Sequence, residues 1–331
     1  MTGYLRFLLA YLVLLSHVGP GVVHGFNLGV FAVVIFYILA GHVITHLLEN
    51  IFSARPLWVY YIERGLRIYP LYLFACFCTI IFLLLTHFGI PRFTPLNLFF
   101  NLFVIPLNYY MWLQKYEVVL TGLNPPFGWW LVPPAWTLGL ELQVYLIFPF
   151  LIRYQLLKVV CFLLSLFIFT LSNLKILNTD YWGYRLLPGV LFIFLLGSIL
   201  QRLKDGRALF KERFLLIFSY SVSLLSFIYL VLFRSFSQPY IRETLLGIII
   251  GVPLTYFCLH FSKKLPFNRL AGSLSYAVYV FHFLSIWILK WTSLHLSPIF
   301  LTLSVTFLTF TFSFLGVFLV EKPIEKLRFN L

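Results

Sequence analysis

Residues 6–17 read RFLLAYLVLLSH, an apolar run with a permanent cation, Arg6, at its start and an imidazole, His17, near its end. In hydrocarbon, either group is costly unless it faces a protein interior or a wet cavity, so each is a candidate site residue. On a helix, their spacing returns them to within about 20° of one face, about 16 Å apart along the axis. Arg6 is therefore expected near one membrane surface, with His17 deep on the same stripe.

Runs of this kind recur along the chain. Hydrophobic residues make up 61% of the 331 and charged residues 10%, with a mean hydropathy of +0.96, from which no soluble surface can be built. Spans are expected at about 5–23, 27–48, 68–88, 136–154, 158–174, 187–202, 214–233, 242–261, 273–291 and 298–320, each long enough to cross a bilayer. The expectation is an all-α, polytopic membrane bundle of about ten transmembrane helices. Residues 1–331 form a single domain in this reading, with no appended soluble domain. No small-residue cleavage site follows residue 20, so the first run reads as a span and not as a signal peptide.

The net charge of +14 raises nucleic acid as a partner. Lys and Arg, however, lie in short clusters between the apolar runs, where the positive-inside rule puts them, so no nucleic acid is expected. Cys76, Cys78, Cys161 and Cys258 fall inside apolar runs and read as small buried hydrophobes, with neither zinc nor disulfide spacing. The doubtful stretch is 97–113, LNLFFNLFVIPLNYYMW, which is apolar but short and carries Pro106. If it does not cross, both termini lie inside and 17 of the 24 basic residues are inside with them. If it crosses, the split becomes 10 inside and 14 outside. A re-entrant or surface-lying 97–113 with both termini cytoplasmic is the better fit. The longest outer loop, 89–135, then carries Tyr109, Tyr110, Trp112, Tyr116, Phe127, Trp129 and Trp130. These suit an interfacial aromatic belt, or a platform for the C–H faces of a sugar.

Polar residues within the spans can be weighed one by one. His17 is a candidate general base. Arg64 and Arg67, three apart where the third span is expected to begin, form a fork suited to phosphate oxygens, or anchor the span at the inner surface. Glu141 lies about one turn into the span that opens PPAWTLGLELQVY, with Tyr145 at i+4, and at that depth needs a structural or catalytic partner. Ser275, Tyr279 and His282 share one stripe of the ninth span and read as a cavity-lining face. Glu321 reads as a helix-end anchor, and His24, His42, His46, His87, His260 and His295 as interfacial. No metal-ligand spacing, phosphate loop or nucleophile elbow is present.

Taken in order, several of these stretches resemble the acyltransferase-3 family of bacterial integral-membrane O-acyltransferases. They are Arg6 and His17; IFYILAGHVIT; R-x-x-R at Arg64 and Arg67 followed by IYP; PAWTLGLELQVY around Trp136 and Glu141; GSLSYAVYVFH; and VEKP near the end. The resemblance implies about ten helices in a bacterial inner membrane and an acyl group, usually acetyl, moved from cytoplasmic acyl-CoA to a hydroxyl. The donor is a co-substrate, and no permanently bound cofactor is implied. The acceptor is a cell-surface or exported glycan on the outer side. His17 becomes the catalytic base with Arg6 as its motif partner, and Arg64 and Arg67 hold the donor. Glu141, Tyr276 or Tyr279 would orient the base or donate to the oxyanion, with Trp136 and His282 on the substrate side. Two departures stand out: Ala40-Gly41-His42 replaces the family's usual Ser-Gly-aromatic, and Thr137 replaces a serine. A transporter or flippase for a glycan or lipid intermediate would also use a polar stripe and basic inner loops. It would need no acyl donor, whereas an acyltransferase releases free CoA. A scaffold would tolerate loss of His17 or Arg64.

Overall fold

A chain this apolar satisfies its backbone in hydrocarbon by forming helix, and it does so almost throughout. A computed structural model describes residues 1–19, 21–88, 94–113, 131–233, 238–260, 265–294 and 296–329. Of the aromatic outer loop, Tyr116, Phe127, Trp129 and Trp130 lie outside the described residues, as do Lys263, Lys264 and His295.

Helix α1 is Thr2–Val18, followed by a short hairpin of β1 (Val22–Val23) and β2 (Phe26–Asn27). Then come α2 (Leu28–His46, continued by a π turn Leu47–Ile51), α3 (Leu57–Thr86), α4 (Pro95–Phe103) and α5 (Ile105–Leu113). Next are α6 (Trp136–Arg153), α7 (Gln155–Asn173), α8 (Leu187–Lys204, preceded by a π turn Tyr181–Arg185) and α9 (Phe210–Leu232). The chain ends with α10 (Ile241–His260), α11 (Asn268–Trp291) and α12 (Pro298–Gly316), which runs through a π turn (Val317–Glu321) into α13 (Lys322–Phe329). Among the described residues nine helices are long and apolar enough to cross a membrane, and the 17-residue α1, packed along α11 and α2, makes the tenth.

Ion pairs fix how these helices run. Glu49 meets Arg202, Asp205 accepts from Asn50, and Glu212 is shared by Lys158 and Arg202, so the ends of α2 and α8 and the starts of α7 and α9 lie together. Arg328 pairs with Glu63, Arg269 with Glu325, and the Gly3 N–H donates to Asn268. The five residues 52–56 between α2 and α3 join both groups into one basic end, which holds both termini. Helix α3 leaves this end and α6 returns to it, so the segment between them makes no net crossing. Within that segment α4 and α5 bend by 102° at Val104, whose φ is +63°. The fully buried Asn108 fastens the bend by donating to the carbonyls of Trp136 and Arg185 and accepting from Gln143. The sharp bend and the return of α6 to the basic end fit a re-entrant or surface-lying 97–113. At the same basic end, hydrogen bonds from Asn50 and Gln201 hold the Asp205 carboxyl below its ordinary range, although its partial burial acts against this.

Three expectations need correction. Helix α3 begins at Leu57 rather than 68, because Glu63–Arg64 and Arg67–Glu321 pairs allow charge within a buried helix; Arg64 and Arg67 are therefore well inside it. Glu321 is no helix-end anchor, since the helix continues through it to Phe329 and its carboxylate is buried on Arg67. His42 is buried between α2 and its neighbours rather than interfacial.

Helices α2 and α8 approach closely because glycines face backbone: a Cβ at Gly41 would lie 1.8 Å from the Phe194 carbonyl oxygen, and one at Gly197 1.9 Å from that of Ile38. Small residues are the usual means of such contact in membranes. We expect Gly41→Val to force the pair apart and cost about 1–3 kcal/mol. Thermal unfolding in detergent would read this as a lowered midpoint, and an unchanged midpoint would contradict the close crossing.

Candidate active site: two cavities and a shared wall

The helix arrangement leaves two cavities, one toward each end of the bundle. The first, about 890 Å³ including its open mouth, lies toward the basic end and is lined by Arg6 of α1, Arg64 and Arg67 of α3, Glu141 and Tyr145 of α6, and Ser275, Tyr276 and Tyr279 of α11. The sequence stripe Ser275–Tyr279 does face a cavity. Each α3 arginine already has a carboxylate, Glu63 for Arg64 and Glu321 for Arg67. Each also lies over a ring, Tyr145 and Tyr276 respectively, with the guanidinium carbon 5.4 Å from the centroid in both cases. Arg6 has no ion-pair partner among the described residues, and the cavity lining carries three arginines against the one carboxylate of Glu141. Glu141 accepts from the Tyr145 hydroxyl, as their i, i+4 spacing implies. Ala40, where the resembling sequences carry a hydroxyl, also lines this cavity.

The second cavity, about 560 Å³ including its open mouth, is built at the other end of the bundle. It gathers Ser16 and His17 from the end of α1, Asn27 and Gly29 from the start of α2, and Pro133, Pro134 and Trp136 from the start of α6. Arg185 and Tyr240 come from the starts of α8 and α10. Asn27 is fixed there by its capping role, its side chain accepting from the N–H groups of Gly29 and Val30. The His17 ring is open to this space and makes no hydrogen bond among the described residues. It stacks on His282, with ring centroids 5.3 Å apart and planes at 26°, and meets Phe283 at 4.7 Å. His282 is fully buried; its Nδ1 faces the Val278 carbonyl oxygen at 3.2 Å, and its Nε2 has no partner among the described residues. A proton on Nδ1 leaves Nε2 a bare acceptor. His282 therefore touches His17 rather than lining either cavity.

Val33 and Tyr279 line both cavities. The Tyr279 hydroxyl lies 2.7 Å from Thr137 Oγ1, which donates to the Pro134 carbonyl at 3.0 Å, and Tyr279 itself reaches that carbonyl at 3.4 Å. This buried hydrogen-bond set stands between the two spaces. Helical spacing correctly places Arg6 and His17 on one side of α1, but residues from α2, α6 and α11 separate them, so they do not share a cavity. Glu141 and Tyr276 are likewise on the first cavity only. Of the residues expected to assist His17, Tyr279 borders its cavity, as does Trp136, which was expected on the substrate side.

Arg185 was not among the residues singled out from the sequence. Its guanidinium carbon lies 4.4 Å from the Trp136 ring centroid, 5.2 Å from Tyr184, 5.4 Å from Tyr110 and 6.0 Å from Tyr240, and its Nε donates to Asp180 at 2.7 Å. Burial raises the Tyr240 phenol above its ordinary range, which keeps it a neutral hydroxyl at the cavity edge. The signal for Arg185 was present in the sequence as D-Y-W-G-Y-R at 180–185, an arginine on the side that the charge rule disfavours, among aromatic residues. Among the described residues no group of three or more His, Cys, Asp or Glu is arranged to hold a metal ion.

A family model described as "Acyltransferase domain" matches residues 3–319. A protein of Aquifex aeolicus (strain VF5), described as "Uncharacterized protein", is 42% identical over 224 residues, covering 67% of this chain and 99% of that protein. No solved structure matches.

Proposed function

This chain belongs to the acyltransferase-3 family, and from that premise we propose that it moves an acyl group, acetyl in the first instance, from acyl-CoA to a hydroxyl of a cell-surface or exported glycan. The setting is a bacterial inner membrane with the basic end cytoplasmic, as the positive-inside rule favours. The observation that carries this reading is the pair of cavities, arginine-lined at one end and histidine-bearing at the other, which meet at Tyr279 and Val33.

In this mechanism the phosphates of the donor bind Arg6, with Arg64 and Arg67 completing a positive wall. The thioester arm passes the Thr137–Tyr279 hydrogen bond, which opens to admit it. The acceptor enters from the other end. Its hydroxyl attacks the thioester carbonyl while His17 takes the hydroxyl proton. A C–O bond forms, the C–S bond breaks, and the leaving thiolate recovers the proton from His17. Tyr279, at the junction, is the hydroxyl donor best placed for the developing oxyanion.

The test is free-thiol release from acetyl-CoA by the purified protein in nanodiscs supplied with a surface-glycan extract as acceptor, for wild type and Arg6→Ala. We expect Arg6→Ala to raise the donor KM about tenfold with kcat little changed, as for lost uniform binding. No thiol release with any acyl-CoA would overturn the reading in favour of transport. An unchanged donor KM would remove Arg6 from the donor site.

A further inference from the structure

Arg185 is the only permanent charge among the described residues that line the His17 cavity. It stands at the end opposite the basic one, where arginine is disfavoured, and it is 8% exposed. Four rings enclose its faces, and Asp180 takes its Nε–H. A guanidinium has five N–H donors, and the contacts to Asp180 and to the Tyr240 hydroxyl do not use them all. Asp180 does not line the cavity, and no other carboxylate does. An incoming molecule therefore meets a rigidly held cation with spare donors, walls of Trp136, Tyr184 and Tyr240, and the open ring of His17.

We propose that Arg185 is an anion subsite of this cavity, which binds a carboxylate or phosphate carried by a sugar and so selects an acidic glycan or sugar phosphate as the acceptor. The aromatic walls pack against the C–H faces of the sugar ring. The guanidinium fork fixes the charged substituent, which leaves a hydroxyl of the same residue to meet His17. A site held by so many fixed partners pays little ordering entropy on binding. The thioester enters past Tyr279, whereas Arg185 arrives from the start of α8 beside Tyr240. This favours a charge resident on the acceptor over the transient oxyanion. Only the word acceptor rests on the acyl-transfer reading; the binding itself does not.

The experiment is equilibrium binding of three probes to the full chain in nanodiscs: methyl glucuronide, glucose 6-phosphate and methyl glucoside. We expect at least one charged probe to bind about tenfold or more tightly than the neutral one, and Arg185→Gln to abolish the difference. Which charged probe binds more tightly identifies the anion. Arg185→Lys should keep the charge but lose the fork, and so retain only part of the preference. Should Arg185→Gln fail to fold, the wild type alone decides, since added salt should weaken the charged probes and spare the neutral one. Equal binding of all three by wild type would overturn the proposal, as would a preference that survives in Arg185→Gln. Turnover that falls in Arg185→Gln with probe binding unchanged would also overturn it, in favour of oxyanion stabilisation. Failure of the acyl-transfer reading looks different: no CoA release, with the binding preference intact.

Discussion

Replacing His17 by Ala lowers CoA release and acyl transfer by about 10²- to 10⁴-fold, the range expected for removal of a general base. The folded protein should survive the change. His17 makes no hydrogen bond among the described residues, and its ring is open to the second cavity, so truncation strands no buried polar partner. Its contacts are the rings of His282 and Phe283, which stay supported by their own helix. Donor affinity should hold as well, because Arg6, Arg64 and Arg67 line the other cavity. The signature is therefore a collapse in kcat with donor KM and melting midpoint near wild type. His17→Gln, which keeps a polar side chain but supplies no base, should be as inactive as the alanine variant. Turnover within a few-fold of wild type in either variant would remove His17 from the chemistry.

Glu212→Ala should be the most destabilising single change at the basic end, costing about 3–5 kcal/mol as expected for one partner stripped from a buried ion pair. Glu212 is 1% exposed and accepts from Lys158, from Arg202 at 3.0 Å and from the Leu209 N–H at 2.9 Å. Its loss strands the fully buried Lys158 beside a second cation and uncaps α9. Glu212→Gln retains an acceptor but no charge and should fall between the two. The measurement is thermal unfolding in detergent, with a large drop for Ala and a smaller one for Gln. Because this cluster ties α7, α8 and α9 away from both cavities, the Glu212→Ala protein that remains folded should turn over normally. A melting midpoint equal to wild type would show that water or lipid headgroups already satisfy Lys158.

The spans were legible because each apolar run is long enough to leave no alternative, and the re-entrant stretch because charge counts differ so much between the two topologies. Boundaries failed where charge enters a helix. The α3 start was misplaced since Glu63, Arg64 and Arg67 lower the local hydropathy, and their compensation includes Glu321, 254 residues away from Arg67. The site showed the same limit. The i, i+4, i+7 stripe on α11 identified Tyr279 and His282, yet that Tyr279 borders both cavities while His282 lies behind His17 depends on α1, α2 and α6. The Arg6–His17 stripe was correct as geometry of one helix, while the wall that divides them is assembled from other helices. Arg185 was passed over because it counted only as a minority charge on the outer side, although that exception was itself the clue.

The most direct test of the central claim is mass spectrometry of surface glycans from cells expressing the wild-type chain or His17→Ala at matched membrane levels. The account predicts a base-labile acyl mass increment with wild type and none with His17→Ala. An increment of equal size in both would contradict it.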